Sequence, residues 1–236
     1  MRRTSVFWAV ALIALGVLLL LRETVDAWRD VSLGGLVLIA IGTWLLFERP
    51  RYGRLIIGPM SKPGTILEGT FSGGVESQVR RLGDGVEVTL RQRWHPAWRS
   101  GWGHRTGRGF DWALTIDRDV PAALDVRSGA STGRLELEEL LVTELTLETG
   151  ASHTDLVLPR RGQSTARLQA GAAQVWIRIP TGVAAAIRVR RGLAAIRVDT
   201  SRFPQTADGY RSPDFDSAPN RVDLEIEAGA AEVTVG

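Results

Sequence analysis

The 236-residue sequence contains no cysteine, one lysine (Lys62) and three histidines. Without cysteine there can be no thiolate metal site, iron–sulfur cluster, thiol nucleophile or disulfide framework. The histidines, at 95, 104 and 153, are scattered along the chain. Because lysine is almost absent, nearly all of the 29 basic residues are arginine, and the formal net charge is only +3. These absences exclude several kinds of chemical site, but they do not determine the cellular compartment of the protein.

Two common catalytic motifs are missing as well. No GxxxxGK[ST] or HExxH pattern occurs. Ser152, His153 and Asp155 are close in sequence, but closeness in sequence does not assemble a catalytic triad. Asp214 and Asp216 lack the ligand spacing of a calcium loop. We therefore expect no enzyme activity, no cofactor and no metal, and the lack of a helix-turn-helix pattern argues against nucleic-acid binding.

Two apolar runs stand at the start of the chain. Residues 5–21 and 31–47 each comprise 17 residues without a charge. At about 1.5 Å per residue each run is roughly 25 Å long as a helix, close to the thickness of a bilayer core. The nine residues between them suffice for a turn. We predict a two-helix transmembrane hairpin over residues 1–47.

Topology follows from the arginines and lysines around the two runs. The outer flanks carry six of these residues and the short loop carries two. The positive-inside rule then places both ends of the hairpin in the cytoplasm. A cleaved signal peptide is the alternative for the first run, but no A-x-A pattern follows it. Residues 48–64, with three prolines and three glycines, are expected to form a linker that could lie on the membrane through Leu55, Ile56 and Ile57.

A repeat of 21 residues dominates the rest of the chain. Its markers are Gly129, Gly150, Gly171, Gly192 and Gly229, separated by 21, 21, 21 and 37 residues. Apolar residues recur five and three positions before each glycine and six positions after it. This alternation predicts two short strands per repeat, and strands in constant register predict stacked coils. We therefore predict an all-β domain over residues 65–236, a single-stranded β-solenoid with coils of about 21 residues, in which each glycine supplies a positive-φ corner.

The last spacing is longer because residues 200–220 are inserted. The insertion is rich in proline and small polar residues, which is typical of a loop. If the next coil resumes in register, Leu224 stacks on Ile187 and Ile226 on Val189. A loop outside the core could be shortened without loss of stability, because the entropy of loop closure changes only slowly with length.

Charged residues also recur at fixed positions and make coils three and four basic. The arginines concerned are Arg167, Arg178, Arg188, Arg190 and Arg197. One interpretation is a basic surface for an anionic lipid or an acidic partner. The other is a solvated surface on which neighbouring coils form cross-strand ion pairs, with Arg188 beside Glu225 and Arg190 beside Glu227.

A segment rich in tryptophan and arginine precedes the repeats. Residues 75–81 and 85–94 alternate like the two strands of a hairpin. Trp94, Trp98 and Trp102 follow, interleaved with arginines. This segment either contacts a membrane interface or a nucleic acid, or covers the open end of the solenoid.

The repeat units resemble those of a known family. N-terminal membrane runs, then DWALTIDRDVPAALDVRSGAS and repeated LxLxxGAS units, are similar to LiaF-like proteins, bacterial membrane proteins of the cell-wall-active antibiotic response. The resemblance implies a C-terminal toastrack β-solenoid and a regulator of an envelope-stress two-component system that acts on a membrane histidine kinase. Many LiaF-like proteins have four membrane spans, whereas this chain has two apolar runs.

Two function classes follow from these observations. The first is a membrane-anchored regulator whose solenoid lies in the cytoplasm and binds other proteins. The second is a structural or adhesin-like surface protein whose solenoid lies outside the cell. The expected partners are the lipid bilayer, a membrane histidine kinase and further copies of the chain.

Overall fold

The computed structural model describes residues 53–62, 64–72, 74–83, 85–92 and 111–236. All regular structure in these residues is β, as predicted. The repeats supply ten of the strands: β6 (Ala122–Ser128), β7 (Ser131–Glu136), β8 (Val142–Thr149), β9 (Ser152–Val157), β10 (Gln163–Ala170), β11 (Gln174–Arg178), β12 (Ala184–Arg191), β13 (Ala195–Val198), β16 (Arg221–Ala228) and β17 (Glu232–Val235). Each repeat is one coil, with one strand in each of two sheets.

Parallel pairing keeps the predicted apolar positions in register. Leu124 lies beside Leu145 and Leu145 beside Ala166, so one period of 21 residues separates neighbours in the first three coils. Inward residues alternate with exposed ones along each strand and form a continuous core. The aliphatic rows of this core, such as Leu135, Leu156 and Ile177, are at most 3% exposed.

The coils do not stack in chain order. The last coil (β16 and β17) lies between coil three (β10 and β11) and coil four (β12 and β13) in both sheets. Leu224 does lie beside Ile187, and Ile226 beside Val189, as predicted. On its other side, however, Leu224 lies beside Ala166. Coils three and four are therefore separated, and the basic block expected from chain order is interrupted by an acidic strand.

The corner glycines do not have the conformation that we predicted. Positive φ angles occur at Gly64, Gly74, Gly83, Gly162, Gly182 and Gly209, and none of these is a corner glycine. At two of the repeat glycines, the missing side chain instead allows neighbouring coils to approach closely. A Cβ on Gly150 would lie 2.9 Å from the carbonyl oxygen of Gly129, and one on Gly192 would lie 3.3 Å from that of Gly229.

The linker prediction for residues 48–64 is wrong in its second half. Gly53–Met60 forms strand β1, which lies between β5 (Asp111–Asp117) and β7 in the eight-stranded sheet. Ile57 pairs with both Leu114 and Leu135 and is 4% exposed. Of the three aliphatic residues that could have lain on a membrane, Ile57 belongs to the core and Leu55 packs against it, whereas Ile56 is exposed. Strand β5 joins the stack through β1. Strand β2 (Leu67–Phe71) pairs with the outer edge of β5.

The predicted hairpin before the repeats is confirmed. Strands β3 (Val75–Leu82) and β4 (Gly85–Gln92) pair antiparallel in a separate two-stranded sheet. The predicted transmembrane runs and the tryptophans at 94, 98 and 102 lie outside the described residues. Within the part of the chain that is described, no helix has the length and hydrophobicity that crossing a membrane requires.

The insertion is more than a loop. It contains two short strands, β14 (Gln205–Thr206) and β15 (Gly209–Arg211), and β15 pairs antiparallel with β12. Phe203 is 1% exposed and belongs to the core. Ser212 exchanges two hydrogen bonds with Ala185, because its hydroxyl accepts from the Ala185 amide at 2.9 Å and its own amide donates to the Ala185 carbonyl at 2.8 Å. We call residues 199–220 the cap. The prediction that this segment is only an external loop is wrong, and the burial of Phe203 and Ser212 removes the reason to expect that it can be shortened without cost.

Candidate interaction surface

The predicted surface arginines divide between the outer faces of two sheets. Arg167, Arg188 and Arg190 lie on β10 and β12 of the seven-stranded sheet, and Arg178 and Arg197 lie on β11 and β13 of the eight-stranded sheet. The five residues therefore do not form one patch. The three tryptophans predicted to share this role lie outside the described residues.

Ion pairs occupy most of these arginines. Arg167 Nε lies 3.4 Å from Glu225, Arg190 Nη1 lies 3.5 Å from the same carboxylate, and Arg188 Nη2 lies 2.8 Å from Asp223. Arg197 pairs with Glu232. Because both members of most pairs are substantially exposed, each contributes about 0.2–1 kcal/mol at most. The interpretation as cross-strand pairs thus accounts for four of the five arginines. The predicted register is confirmed, with Arg188 beside Glu225 and Arg190 beside Glu227, but the two guanidinium groups pair diagonally with Asp223 and Glu225.

Arg178 differs from the other four. It is exposed on β11 and forms no ion pair with any described residue. Two positions earlier on the same side of the strand is Trp176, whose relative exposure is 60%. Gln174 precedes it on that side, and Asp155 and Thr234 are its register neighbours on β9 and β17. We call Gln174, Trp176, Arg178, Asp155 and Thr234 the Trp176 face.

The backbone explains why an indole is displayed there. Val175 and Ile177 point into the core, where they are at most 3% exposed, so alternation forces Trp176 outward. Trp176 is the only aromatic residue among the large exposed hydrophobic side chains of the described residues. The same position of other coils carries Arg134, Asp155, Arg197 and Thr234. The sequence alone could therefore have indicated an exposed tryptophan here, because the equivalent position of the other coils is polar. Trp176 was nevertheless not among the predicted surface residues.

Ser152, His153 and Asp155 do not converge into a catalytic group. The Ser152 hydroxyl lies in the corner, 3.3 Å from the Thr154 hydroxyl and hydrogen-bonded to Thr149. His153 is on the opposite side of the strand, with Nε2 3.9 Å from the Asp155 carboxylate. In the described part of the chain no three acidic or histidine side chains are grouped so that they could hold a metal ion.

A groove of about 590 Å³ follows the stacked corners. Its floor is formed by Gly129, Gly150, Gly171 and Gly229, and its rim includes Arg127, Glu148 and Glu227. Hydrogen bonding to Asp125 raises the pKa of the Arg127 guanidinium, and the charges of Asp125 and Glu148 add to this effect. The positive charge of Arg127 is thus balanced by Asp125 and Glu148, so the groove offers no free positive charge at that point.

Comparisons with known proteins agree with this architecture. Residues 72–178 match a family described as the N-terminal domain of toast_rack, DUF2154. No curated protein matches the chain. A crystal structure described as that of "a putative cell adhesion protein" from Clostridium sporogenes is similar to the chain, with a TM-score of 0.64 and 16% sequence identity. The match covers 78% of this chain and 88% of that one, and it shows a shared fold. Together these similarities support a toast-rack-type domain in the described part of this chain.

Proposed function

We propose that this protein is a non-enzymatic, membrane-anchored regulator of the envelope-stress response, and that its toast-rack-type domain binds a protein partner through the Trp176 face. The partner in this proposal is a membrane histidine kinase of a two-component system, and the solenoid is cytoplasmic. The supporting features are the toast-rack match of residues 72–178, the two apolar N-terminal runs and the similarity of the repeat units to LiaF-like proteins.

The observation that carries the proposal is the pair formed by Trp176 and Arg178. Tryptophan and arginine are the residue types most enriched among those that dominate protein–protein binding energies. Trp176 is 60% exposed, and Arg178 has no carboxylate partner among the described residues, so neither side chain is used within the fold. An acidic or aromatic group on a partner could engage both residues at once.

The test uses the full chain in a bacterium that lacks its own copy and carries a reporter of the envelope-stress response. We expect Trp176→Ser and Arg178→Ser to weaken partner binding at least tenfold, about 1.4 kcal/mol, and to abolish regulation of the reporter. Val79→Ser is the matched control, because Val79 is 65% exposed on the β3–β4 hairpin. Wild-type regulation by Trp176→Ser at equal protein level would rule out this surface.

A surface adhesin is the second candidate, and the structural similarity to the Clostridium sporogenes protein favours it. The two functions need opposite topologies. A reporter enzyme fused after Gly236 should be active in the cytoplasm if the chain is a regulator. Activity only on the outer side of the membrane would contradict the regulator and support the adhesin.

A further inference from the structure

Coil four forms one end of the stack. At this end the edge of one sheet pairs with a further strand, whereas the edge of the other sheet pairs with no described strand. In the seven-stranded sheet, β15 pairs with the outer edge of β12. In the eight-stranded sheet, β13 is the terminal strand and pairs only with β17 among the described residues. An open edge of this kind can accept a further strand.

Backbone groups on the outer side of β13 have no strand to bind among the residues that the structure describes. The Ala195 and Asp199 amides donate to the carbonyls of Ala231 and Val235, both at 2.9 Å, so these residues face β17. In a parallel pair the alternate residues face the other way. The N–H and C=O groups of Ile196 and Val198 therefore point outward along the free edge.

The apolar core also ends abruptly at this strand. Val233 and Val235 on β17 are 0% and 1% exposed, whereas Ile196 and Val198, their register neighbours on β13, are only half-buried. Val189 on β12 is half-buried too, because β15 covers β12 only at Ala186 and Ile187. Leu193, in the corner before β13, is 94% exposed. A free backbone edge and an uncovered apolar row thus coincide.

We propose that this edge binds a second copy of the chain, with the two β13 strands pairing antiparallel about a two-fold axis. Two-fold interfaces are the commonest among homo-oligomers. The added strand would satisfy the amides of Ile196 and Val198 and would cover the half-buried aliphatic row. This interface goes beyond the proposed function, and it would exist whether the chain is a regulator or an adhesin.

Charge selects the register of the pair. Outward-pointing backbone groups can face each other in three registers. The register centred on Val198 would extend the pairing into the turn at Thr200, which leaves two. One sets Arg197 opposite its own copy, which juxtaposes like charges and is unfavourable. The other sets Ile196 opposite Ile196, so that Arg197 faces the small Ala195 of the second copy. Glu232 is the register neighbour of Ala195, so each Arg197 gains a second carboxylate roughly 10 Å away, two strand spacings, and within reach of its long side chain.

The chain itself provides a precedent for antiparallel closure at this end. Strand β15 covers the β12 edge in antiparallel orientation, with Ile187 beside Tyr210. The second copy would close the β13 edge in the same orientation. A strand from an unrelated protein could also fit the backbone edge, but it would not reproduce the charge match with Glu232, and the experiment separates the two occupants by using the purified chain alone.

The absence of native cysteine makes a disulfide test direct. In the proposed register the two Ile196 Cα atoms form a hydrogen-bonded pair about 5.5 Å apart, which is within the range for a disulfide. We expect the full-length Ile196→Cys chain, purified in detergent and oxidised, to give a covalent dimer that reductant reverses. Val79→Cys, on the exposed β3–β4 hairpin, is the control for random collision.

A second pair of variants tests the register with exposed side chains. Ala195→Cys and Arg197→Cys should each stay monomeric alone, since each cysteine lies two positions out of register with its copy, roughly 8–9 Å away. A mixture of the two variants should cross-link, because Ala195 faces Arg197 across the interface. Cross-linking of Ile196→Cys no greater than that of Val79→Cys, together with no cross-linking in the mixture, would overturn the proposal.

Discussion

At the scale of single residues, contact between neighbouring coils explains some of the corner glycines. Gly150 donates its amide to the Ser128 carbonyl at 3.0 Å, and Gly171 donates to the Thr149 carbonyl at 2.9 Å. These hydrogen bonds join successive corners directly. The space available to a side chain nevertheless differs from corner to corner, so one repeated residue type carries different structural demands at different positions.

Gly150 and Gly129 offer a matched comparison. Alanine at Gly150 would place its Cβ 2.9 Å from a backbone carbonyl that cannot move without shifting the corner, whereas a Cβ at Gly129 meets nothing within 4 Å. We expect Gly150→Ala to lower the free energy of unfolding by about 1–3 kcal/mol. Gly129→Ala should be neutral or stabilising by up to about 1 kcal/mol, because alanine restricts the unfolded chain. Denaturant unfolding followed by circular dichroism measures both, and equal effects would contradict the packing argument.

At the scale of elements, the cap shows where composition is a misleading guide to structure. Three prolines and many polar residues indicated an external loop. Phe203 was one apolar residue in that segment, and nothing in the repeat identified its place in the core. Its burial depends on the cap turning back over coil four, a tertiary feature that no local pattern encodes. The hairpin β3–β4 was predictable by contrast, because alternation and a glycine turn define it locally.

Phe203 should therefore contribute strongly to stability. It is 1% exposed and packs in the same core as the coils. We expect Phe203→Ala to cost about 3–5 kcal/mol in unfolding free energy, and deletion of about 16 residues of the cap to unfold the domain. The control is Phe215→Ala in the same cap, where the ring is half-buried and lies beside Arg211. A Phe203→Ala chain as stable as Phe215→Ala would show that the burial of Phe203 does not stabilise the domain.

Gly209 sets the approach of the cap to β12. Its φ is +141°, and a Cβ there would lie 2.1 Å from the Ile187 carbonyl oxygen. Alanine would have to push β15 away from β12 and uncover Ile187, which is 1% exposed. We expect Gly209→Ala to speed hydrogen exchange of the cap amides, such as that of Ser212, while the amides of β8 and β10 remain protected. Unchanged exchange across the cap would contradict this role.

Asp199 makes the first turn of the cap sensitive to pH. Hydrogen bonds from the Ser201 hydroxyl at 2.6 Å and from the Ser201 amide at 3.0 Å lower the pKa of the Asp199 carboxyl. A carboxyl whose folded-state pKa is lowered stabilises the fold above its unfolded pKa of about 3.9, and this stabilisation is lost as the pH falls below that value. We expect Asp199→Asn to be less stable than wild type at pH 7, with a difference that shrinks by pH 3. A difference that does not depend on pH would argue against the carboxylate.

At the scale of the whole molecule, periodicity determines the columns of the core but not the order of the coils. Every repeat offers apolar residues at the same positions, so the core would accept either coil four or the last coil next to coil three. The outward charges are not equivalent. Chain order would have set Arg167 opposite Arg188, whereas the observed order sets Glu225 between them. The outward charges of a sequence can thus order coils that the core alone leaves interchangeable. Trp176 is visible in the same way, as the one aromatic residue of an outward column.

Reversing the charge at Glu225 tests whether charge alternation orders the coils. Glu225 lies between Arg167 and Arg188 in register and pairs with Arg167 and Arg190. We expect Glu225→Arg to lower the free energy of unfolding by about 1–2 kcal/mol, the sum of two lost pairs and new repulsion, and the loss should diminish at high salt.

Adding Arg167→Glu to Glu225→Arg should recover part of this loss, since an opposite charge again faces residue 225. The double-mutant cycle isolates that coupling from the separate effects of each substitution. Glu144→Arg is the control, because Glu144 forms no ion pair with a described residue and faces the uncharged Thr165 and Ala123 on its two sides. If Glu225→Arg and Glu144→Arg cost the same and Arg167→Glu brings no recovery, charge alternation does not order the coils, and the length of the cap connection must do so instead.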